Sequence, residues 1–293
     1  MNIAFCINKL GMIGLGATVT SLLRSCSEPD KLVLWFLCAG LSDDDKRLLV
    51  NLFNTEGFGG RYVFIDFNPN AHFSAFNSLH GDWTAYGRLL LADFIDEEQV
   101  LYLDSDLIVE LDVLSLNNFN FKGQALAAVG GGIFRYTLGY DFYVNKVGLA
   151  PDLEYFNSGV LLINLREWRL RSIKEECLEI ARKYTKELPS HDQSILNILC
   201  AGNFTKLPKA FNSEWPSFRD RPCFADKMIF HFVGSPKPWD PLGAVIHKGY
   251  GVWKGYSGAE WLSHFDYFTY KRFNRIWNLR RSYARSIMDK LRN

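Results

Sequence analysis

Residues 100–112, VLYLDSDLIVELD, decide the fold of this chain. The stretch opens with four apolar, β-prone residues, the pattern of a strand buried on both faces of a sheet. Asp104 and Asp106 follow at once, although packing gives no reason for two anions at the end of a buried strand. Their oxygens can converge on one point if the chain turns there, and such oxygens suit Mg²⁺ or Mn²⁺. Because ligands of open α/β sheets bind at the carboxyl ends of strands, we predict a cation site at this edge.

Two later residues are candidates for the same site. His231 lies in MIFHFV, which is predicted as a late strand, and it is either a hydrogen-bonded core histidine or a third metal ligand. Lys237 follows in a Pro/Gly-rich loop and is either an exposed loop lysine or the partner of a diphosphate held by the metal. Asp104 and Asp106 also have a plainer interpretation, as turn carboxylates of the kind common in loops.

Strands and helices alternate on both sides of this stretch. Strands are predicted at residues 2–7, 31–38, 61–66, 100–103, 156–164 and 228–233. Helices are predicted at about residues 17–25, from Ser42 onward with its acidic first turn, and at residues 83–92, 165–184 and 191–199. This order predicts an α/β fold whose first strands are mainly parallel.

Gly11, Gly14 and Gly16 follow the first predicted strand and are interpreted as a loop before the first helix. Their spacing is G-x2-G-x-G, whereas the dinucleotide-binding fingerprint is G-x-G-x2-G. We therefore expect the loop either to approach a nucleotide or to have no ligand.

Composition limits the class of protein. With 293 residues and 48% hydrophobic content, the chain can bury a large core. The six cysteines lack C-x-x-C spacing, which favours reduced thiols over disulfides or zinc. The start of the chain lacks the features of a signal peptide, and no apolar run reaches the length of a membrane span. We therefore expect a cytoplasmic protein.

The C-terminal residues differ in composition from the rest. Residues 271–293 contain eight Lys/Arg and one acid, which leaves the remainder of the +1 chain with a net charge of −6. Aromatic residues alternate with these cations, the pattern of an amphipathic helix lying on an anionic membrane; a solvated helix is the alternative. The acidic body and the absence of a matching motif argue against nucleic-acid binding. We expect a catalytic domain over residues 1–255 and a basic, membrane-associating tail over 256–293.

Five motifs in order give the chain a specific resemblance. They are TAYGRLLLADFI, VLYLDSDLIV, YFNSGVLLINLREWR, HDQSILN and HFVGSPKPW. In order and spacing they resemble glycosyltransferase family 8, the retaining family that includes bacterial lipopolysaccharide galactosyl- and glucosyltransferases. The resemblance extends from residue 1 to about residue 240. It implies a GT-A fold, a Rossmann-like mixed sheet flanked by helices, that binds a UDP-sugar through Mn²⁺, with Mg²⁺ as an alternative.

The resemblance also implies roles for individual residues. Asp104, Asp106 and His231 would be the metal ligands, and Gly234 and Lys237 would contact the donor diphosphate. The remaining donor-site residues would be Cys6 and Asn8 on the base-binding strand, Ser105 between the two aspartates, and Arg88, Asn157, Asp192 and Gln193 around the sugar, with His80 as a weaker candidate.

Two departures from the family pattern concern recognition of the donor. Asn8 stands where family members commonly carry Asp, and an amide offers the base both donors and an acceptor. The further acid that the family places after its DxD strand has no clear match, because Gly130, Gly131 and Gly132 occupy that neighbourhood.

The implied reaction moves galactose or glucose from a UDP-sugar to a saccharide acceptor. The acceptor would be the growing lipopolysaccharide, lipooligosaccharide or another surface glycan, met at the inner face of the cytoplasmic membrane. The catalytic candidates are Asp192 and Gln193. Gln193 is a poor nucleophile and Asp192 could attack only if it reaches the anomeric carbon, so we favour same-face attack assisted by the leaving phosphate.

Two other classes of protein compete with this interpretation. A non-catalytic UDP-sugar binding protein would show affinity without turnover, and the two departures above are compatible with it. Phosphatases of the haloacid dehalogenase type share an apolar strand followed by D-x-D, but their motif lies near the N-terminus and requires Thr or Val where Ile108 stands.

Overall fold

The computed structural model of the protein describes residues 1–78, 81–265, 277 and 280–292. The strands are β1 (Asn2–Asn8), β2 (Val33–Ala39), β3 (Arg61–Asp66), β4 (Gln99–Leu103), β5 (Leu107–Val109), β6 (Leu126–Ile133), β7 (Glu154–Asn164), β8 (Thr205–Lys206), β9 (Ser213–Glu214) and β10 (Ile229–His231).

The α-helices are α1 (Met12–Ser25), α2 (Asp43–Thr55), α3 (Pro69–Phe73), α4 (Leu91–Phe94), α5 (Leu165–Leu170), α6 (Ile173–Lys183), α7 (His191–Cys200), α8 (Gly243–Ile246), α9 (Tyr250–Tyr256), α10 (Ala259–Ser263) and α11 (Arg280–Arg292). Short 3₁₀ helices span Pro29–Lys31, Thr84–Leu90, Val113–Leu116, Phe134–Tyr136 and Lys209–Phe211, and a π-helix spans Asp141–Lys146.

A seven-stranded sheet in the described part of the chain has the order β3-β2-β1-β4-β7-β6-β8. Strands β1 to β4 pair in parallel, as predicted, whereas β7 runs antiparallel to both β4 and β6. The sheet is therefore mixed. Ile3, Phe5 and Ile7 of β1 join one apolar core, and Ala4 joins a second core on the opposite face. Helices cover both faces of the sheet, because α1 and α2 pack into the first core and α5, α6 and α7 into the second.

A second, three-stranded sheet fixes the candidate metal ligands. Its order is β5-β10-β9, and β5 begins immediately after the aspartate pair. Strand β10 pairs antiparallel with β5, so that His231 lies opposite Leu107. The backbone N–H of Phe232 also donates to the carbonyl of Asp106 over 3.0 Å. This pairing brings the late strand to the carboxyl end of β4.

The prediction that Gly14 and Gly16 lie in a loop is wrong, because α1 begins at Met12 and contains both residues. They are needed for close packing of the helix. A Cβ on Gly14 would lie 2.6 Å from the Trp239 ring, and one on Gly16 would lie 2.2 Å from Trp261 Nε1. Glycine here lets two indole rings reach the helix backbone, at the cost of helix propensity.

Two predicted helices have a different form. Residues 165–184 form two helices rather than one, because Ser172 adopts a φ of +52° between α5 and α6. Residues 83–92 are mostly a 3₁₀ helix, Thr84–Leu90, followed by α4. The predicted start of α2 is confirmed by a capping box in which Ser42 and Asp45 each bind the other's backbone N–H.

All six cysteines lie in the described residues and are free thiols. No helix in the described part of the chain is long and apolar enough to cross a membrane.

The C-terminal helix α11 docks on the body through two buried residues. Tyr283 donates its hydroxyl to the Pro241 carbonyl over 3.0 Å, and the hydroxyls of Ser286 and Ser217 lie 2.7 Å apart. Arg280, Arg281 and Arg285 remain exposed. The other predicted tail residues at 266–276, 278–279 and 293 lie outside the described residues, as does His80.

Candidate active site

The two aspartates at the end of β4 have different environments. Asp104 Oδ1 accepts from Tyr102 Oη at 2.7 Å and from Arg88 Nη2 at 2.9 Å. Asp106 Oδ2 accepts from Lys237 Nζ at 2.5 Å. Asp106 Oδ1 is buried and receives no hydrogen bond from the described residues, although His231 Nε2 lies 3.2 Å from it. One oxygen of the buried Asp106 carboxylate is thus left without a partner.

Asp104, Asp106 and His231 could together hold a metal ion. Each offers one ligand atom, and these atoms lie within 4.8 Å of one another. Two carboxylate oxygens and one imidazole nitrogen suit Mg²⁺ or Mn²⁺. The unpartnered Asp106 oxygen facing a ring nitrogen is what a cation between them would satisfy, so these residues fit the expected metal.

Lys237 places a positive charge at the same point. Besides Asp106, its ammonium group donates to the Phe232 carbonyl, and its backbone N–H donates to Asp240 Oδ2 over 2.8 Å. Burial raises the pKa of the Asp106 carboxyl, but nearby positive charge, that of Lys237 first, holds the pKa well below its usual range. Gly234, in the same loop, has a φ of +74°, a conformation that favours glycine.

Gly159 on β7 leaves room for the His231 ring. A Cβ at residue 159 would lie 2.2 Å from His231 Cε1 and 2.9 Å from Asp104 Oδ2. Any side chain there would displace two of the three candidate ligands. On its other edge, His231 Nδ1 lies 2.9 Å from the side-chain oxygen of the buried Asn212.

His247 lies beside this loop and packs edge-on against Phe232, with ring centroids 5.2 Å apart. Its Nδ1 accepts from the Gly249 N–H over 3.0 Å. Burial and the charge of Lys237 lower the pKa of His247 to about 3. The ring is therefore neutral in the folded protein at physiological pH.

Arg88 is buried and connects the metal site to α7. Its Nη1 donates to the Ser158 carbonyl over 2.6 Å, and its Nε lies 3.0 Å from Asp192 Oδ2. That N–H points to the Ala85 carbonyl instead, so Asp192 Oδ2 is buried and accepts no hydrogen bond from the described residues. Burial raises the pKa of Asp192, and the charge of Arg88 opposes this. Asp192 Oδ2 is thus a buried acceptor, paired by charge with Arg88 but without a hydrogen-bond donor among the described residues.

Gln193 is held by hydrogen bonds at both ends of its side-chain amide. Its Oε1 accepts from the Ser158 N–H at 3.0 Å, and its Nε2 donates to the Tyr155 hydroxyl. Asn157 Oδ1 accepts from the Gly159 N–H at 2.8 Å. The structure therefore brings Arg88, Asn157, Asp192 and Gln193, which the sequence assigned to one pocket, to one side of the metal-ligand cluster.

Asn8 meets an acid that sequence reasoning missed. Its Nδ2 donates to Asp82 Oδ2 over 2.6 Å, and its Oδ1 accepts from the Gly11 N–H at 2.9 Å. The other Asp82 oxygen accepts from the backbone and the hydroxyl of Thr84. Asp82 lies two residues before the TAYGRLLLADFI motif. An acidic residue so close to a motif of the predicted site was the one feature of the sequence that could have pointed to it.

Cys6 and Ser105, two further predicted donor-site residues, lie close to Gly87 and Gly11 respectively. A Cβ on Gly87 would lie 2.9 Å from Cys6 Sγ, and one on Gly11 would lie 3.1 Å from Ser105 Oγ. Burial raises the pKa of the Cys6 thiol, which therefore stays protonated.

The acid that the resemblance places after the DxD strand is absent from β6, but a carboxylate from β7 lies nearby. A Cβ on Gly130 would lie 1.8 Å from Glu154 Oε1, so the Glu154 side chain fills the space beside that glycine. Glu154 also pairs with Lys206 at 2.5 Å. Glu154 directly precedes the YFNSG motif and is not part of it.

Comparison with known families decides what this site belongs to. The family model described as glycosyl transferase family 8 matches residues 2–243. The chain belongs to glycosyl transferase family 8. The protein is therefore a retaining glycosyltransferase, and the resemblance identified from its five motifs is confirmed.

A solved structure shares the fold of this family 8 enzyme. It is the galactosyltransferase LgtC in complex with donor and acceptor sugar analogs, with a TM-score of 0.75 and 28% identity. The match covers 90% of this chain and 100% of that one. The predicted α/β class, with a GT-A sheet flanked by helices, is thereby confirmed.

Curated relatives of the family 8 enzyme differ in length. General stress protein A of Bacillus subtilis is 24% identical, and the match covers 95% of this chain and 96% of the relative. Lipopolysaccharide 1,3-galactosyltransferase of Salmonella typhimurium is 24% identical, with 83% and 74% covered. The chain spans only 25% of a longer relative, the probable glycosyl transferase Gly of Streptococcus gordonii.

Proposed function

We propose that this family 8 enzyme transfers galactose or glucose from a UDP-sugar to a saccharide acceptor, with retention of configuration, in the presence of Mn²⁺ or Mg²⁺. The observation that carries the proposal is the unpartnered oxygen of Asp106, buried 3.2 Å from His231 Nε2 and beside Lys237. Buried polar atoms in proteins are rarely left without a partner, and a divalent cation would supply one here.

The donor would lie along the carboxyl ends of β1 and β4. Cys6 and Asn8 would border the base, with Asp82 holding the Asn8 amide. Gly234 and Lys237 would contact the diphosphate, and Ser105 would lie between them and β1. The sugar would occupy the pocket bordered by Arg88, Asn157, Asp192 and Gln193. Asp192 Oδ2, which accepts no hydrogen bond from the described residues, would accept one from a sugar hydroxyl.

Charge stabilisation explains the reaction. A metal ion held by Asp104, Asp106 and His231 would stabilise the negative charge that develops on the departing diphosphate. Lys237 would contribute a second positive charge by moving from Asp106 to the diphosphate. Asp106 and Lys237 would thus exchange their mutual contact for contacts with the metal and with the bound donor.

Neither catalytic candidate is arranged as a free nucleophile. Gln193 is neutral, and both ends of its amide are already bonded. Asp192 is buried, and its Oδ2 lies 3.0 Å from Arg88 Nε, so the carboxylate is held in a buried ion pair. We infer that Gln193 positions the reacting groups, that Asp192 binds the sugar, and that the acceptor attacks from the face that the diphosphate leaves.

The acceptor proposal rests on the relatives. The Salmonella typhimurium relative is named a lipopolysaccharide 1,3-galactosyltransferase, and a relative from Escherichia coli is named lipopolysaccharide glucosyltransferase WaaO. We therefore infer a growing lipopolysaccharide, lipooligosaccharide or another surface glycan as acceptor. Residues 134–152 are the candidate acceptor loop; the buried Phe134 at their start packs its ring 5.6 Å from that of Tyr155, which bonds Gln193.

The location proposed for the enzyme is the inner face of the cytoplasmic membrane. Tyr283 and Ser286 anchor α11 to the body, and Arg280, Arg281 and Arg285 remain exposed for an anionic lipid surface. Ile287 and Met288 are exposed on the same helix and provide apolar contacts with the lipid.

The test of the proposed function is a donor hydrolysis panel. Several UDP-sugars are incubated with the protein and Mn²⁺ or Mg²⁺, and UDP release is measured. We expect turnover of UDP-galactose or UDP-glucose that depends on metal and is lost in Asp106→Ala. A non-catalytic UDP-sugar binding protein would instead show affinity without UDP release. Hydrolysis that persists in Asp106→Ala, with metal still required, would refute the metal assignment.

A further inference from the structure

We propose that Asn212 is a positioning residue of the metal site, which fixes the tautomer and the ring orientation of His231. The inference rests on the proposed metal-dependent function, but the His231 tautomer that it predicts can be measured in the metal-free protein. Asn212 lies just before β9, 19 residues from His231 in sequence, and is 5% exposed. It belongs to none of the five sequence motifs.

The direction of the hydrogen bonds follows from a backbone group. The N–H of Gly159 lies 2.8 Å from Asn157 Oδ1, and a backbone N–H can only donate. The Asn157 atom at this position must therefore be the carbonyl oxygen. The same oxygen lies 3.1 Å from the Asn212 side chain, so Asn212 must present its amide nitrogen there.

The orientation of Asn212 then determines that of the histidine. With its nitrogen on Asn157, Asn212 presents its carbonyl oxygen to His231 Nδ1, 2.9 Å away. Because an amide oxygen only accepts, Nδ1 must carry a proton. In the neutral ring, Nε2 then has its lone pair free, and this is the atom that lies 3.2 Å from Asp106 and 3.9 Å from Asp104.

Burial makes this arrangement rigid. His231 is 4% exposed, so solvent contributes little to the hydrogen bonding of its ring. Gly159 packs against one side of the His231 ring. The strand that carries His231, β10, is paired on both edges, with β5 and with β9. Partners that bond the second nitrogen of a ligating histidine set its tautomer and basicity, and their loss commonly lowers metal affinity by about 10–100-fold.

The first measurement is made on the wild-type, metal-free protein. ¹⁵N-histidine NMR at alkaline pH, where imidazoles are neutral, reports which ring nitrogen carries the proton. The His231 signals are assigned by comparison with His231→Gln. We expect the Nδ1–H tautomer for His231. The Nε2–H tautomer, or an equal mixture of the two, would overturn the proposal whether or not the protein transfers a sugar.

The second measurement is Mn²⁺ affinity in two variants, determined calorimetrically without donor. Asn212→Asp keeps an acceptor for Nδ1–H, whereas Asn212→Leu removes both amide groups. We expect Asn212→Leu to weaken Mn²⁺ binding by about 10–100-fold and Asn212→Asp to recover about tenfold of that loss. If Asn212 had only a structural role, Mn²⁺ binding in Asn212→Asp would be at least as weak as in Asn212→Leu. The reason is that the new carboxylate would face the Asn157 oxygen.

Ser213→Ala is the matched control, because Ser213 is the next residue on the chain and is also buried, and its hydroxyl donates to the Lys209 carbonyl. Its Mn²⁺ affinity should equal that of the wild type, and thermal unfolding shows whether each variant is folded. Wild-type affinity in folded Asn212→Leu would overturn the inference. Absence of Mn²⁺ binding in the wild type would instead count against the proposed function, while the tautomer still tests Asn212.

Discussion

The ammonium nitrogen of Lys237 lies 2.5 Å from Asp106 Oδ2, across 131 residues of sequence. Lys237 thus neutralises a carboxylate that is also a candidate metal ligand. A divalent cation and the ammonium group of Lys237 would compete for the Asp106 carboxylate. A bound diphosphate would remove this competition, because it offers Lys237 another anion to pair with. Binding of the metal and of the nucleotide should therefore be coupled through this residue.

Lys237→Met should separate the two binding events. Without the competing ammonium group, we expect Mn²⁺ alone to bind about 3–10-fold more tightly. Mn²⁺ then no longer has to displace the Lys237 hydrogen bond from Asp106, an exchange worth about 1 kcal/mol net. UDP binding in the presence of Mn²⁺ should weaken, because the diphosphate loses a cation. Titration calorimetry with and without UDP measures both effects. Lys248→Met, which removes an ion pair with the exposed Asp220, is the control. Weaker Mn²⁺ binding in Lys237→Met would contradict the competition.

Exchange of Asn8 and Asp82 tests how the nucleotide end of the site is built. Asn8→Asp would place two carboxylates where Nδ2 now lies 2.6 Å from Asp82 Oδ2. We expect a loss of about 1–3 kcal/mol in unfolding free energy and weaker UDP binding. The double variant Asn8→Asp/Asp82→Asn restores one acid and one amide and should recover most of both. Equal defects in the single and double variants would show that the pair does not act as a unit.

Arg88→Met should be strongly destabilising. The substitution removes one of the two donors to Asp104 Oδ1, leaving Tyr102, and deprives Asp192 of its buried counter-ion. Removing one partner of a buried ion pair costs about 3–5 kcal/mol, which urea unfolding can measure. Arg24→Met is the matched control, because its pair with Glu56 involves a half-exposed arginine and should cost less than about 1 kcal/mol. Similar losses in both variants would mean that the Arg88 pairs contribute no more than a surface ion pair.

His247 gives the fold a pH dependence with a definite sign. Its folded-state pKa is about 3, below the ordinary value of 6.5. As pH falls between these values the unfolded chain takes up a proton that the folded chain excludes, so His247 lowers stability, by up to about 1.4 kcal/mol per pH unit. Urea unfolding at about pH 7.5 and about pH 5 should show a smaller loss for His247→Gln than for wild type. The exposed His72 provides the control substitution, and an unchanged slope in His247→Gln would contradict the assignment.

Charge on α11 should govern attachment to lipid. Deletion of residues 271–293 would also remove the buried Tyr283 and Ser286, so substitution of the exposed Arg280, Arg281 and Arg285 by Gln is the sharper change. At about 1 kcal/mol per cation, we expect roughly 100-fold weaker cosedimentation with anionic vesicles and unchanged donor hydrolysis.

The matched control neutralises three other exposed cations, Arg171, Arg182 and Lys183, which lie on or next to α6. This variant should bind anionic vesicles as the wild type does. Equal vesicle binding by both triple variants would remove the support for a membrane-binding helix.

Local patterns predicted the parts of the fold that depend on local chemistry. The apolar run before Asp104 did form a buried strand, and Ser42 did cap α2, because burial and capping are properties of a few adjacent residues. The family pattern grouped residues from separate segments into one predicted site, and the fold places Arg88 and Gln193 on the same Ser158 backbone. The mixed direction of the strands is also what the resemblance to the family's GT-A fold implied.

Packing between distant segments could not be predicted in this way. Gly14 and Gly16 resemble loop glycines in sequence, and only the positions of Trp239 and Trp261 explain why they are helical. Asn212 lies in a stretch without periodicity, and its role follows from hydrogen bonds to residues far from it in sequence. Asp82 had no reason to be selected until the fold placed it on Asn8.

The absence of a side chain at Gly159 bears on how related sequences should be classified. A relative could retain both aspartates and the histidine and still have no room for the imidazole ring, if a larger residue stood at this position. Such a chain would match every ligand motif of a working enzyme and yet be inactive. Glycine at the position of Gly159 is therefore a criterion, independent of the ligands themselves, for separating active transferases from inactive copies in genome surveys.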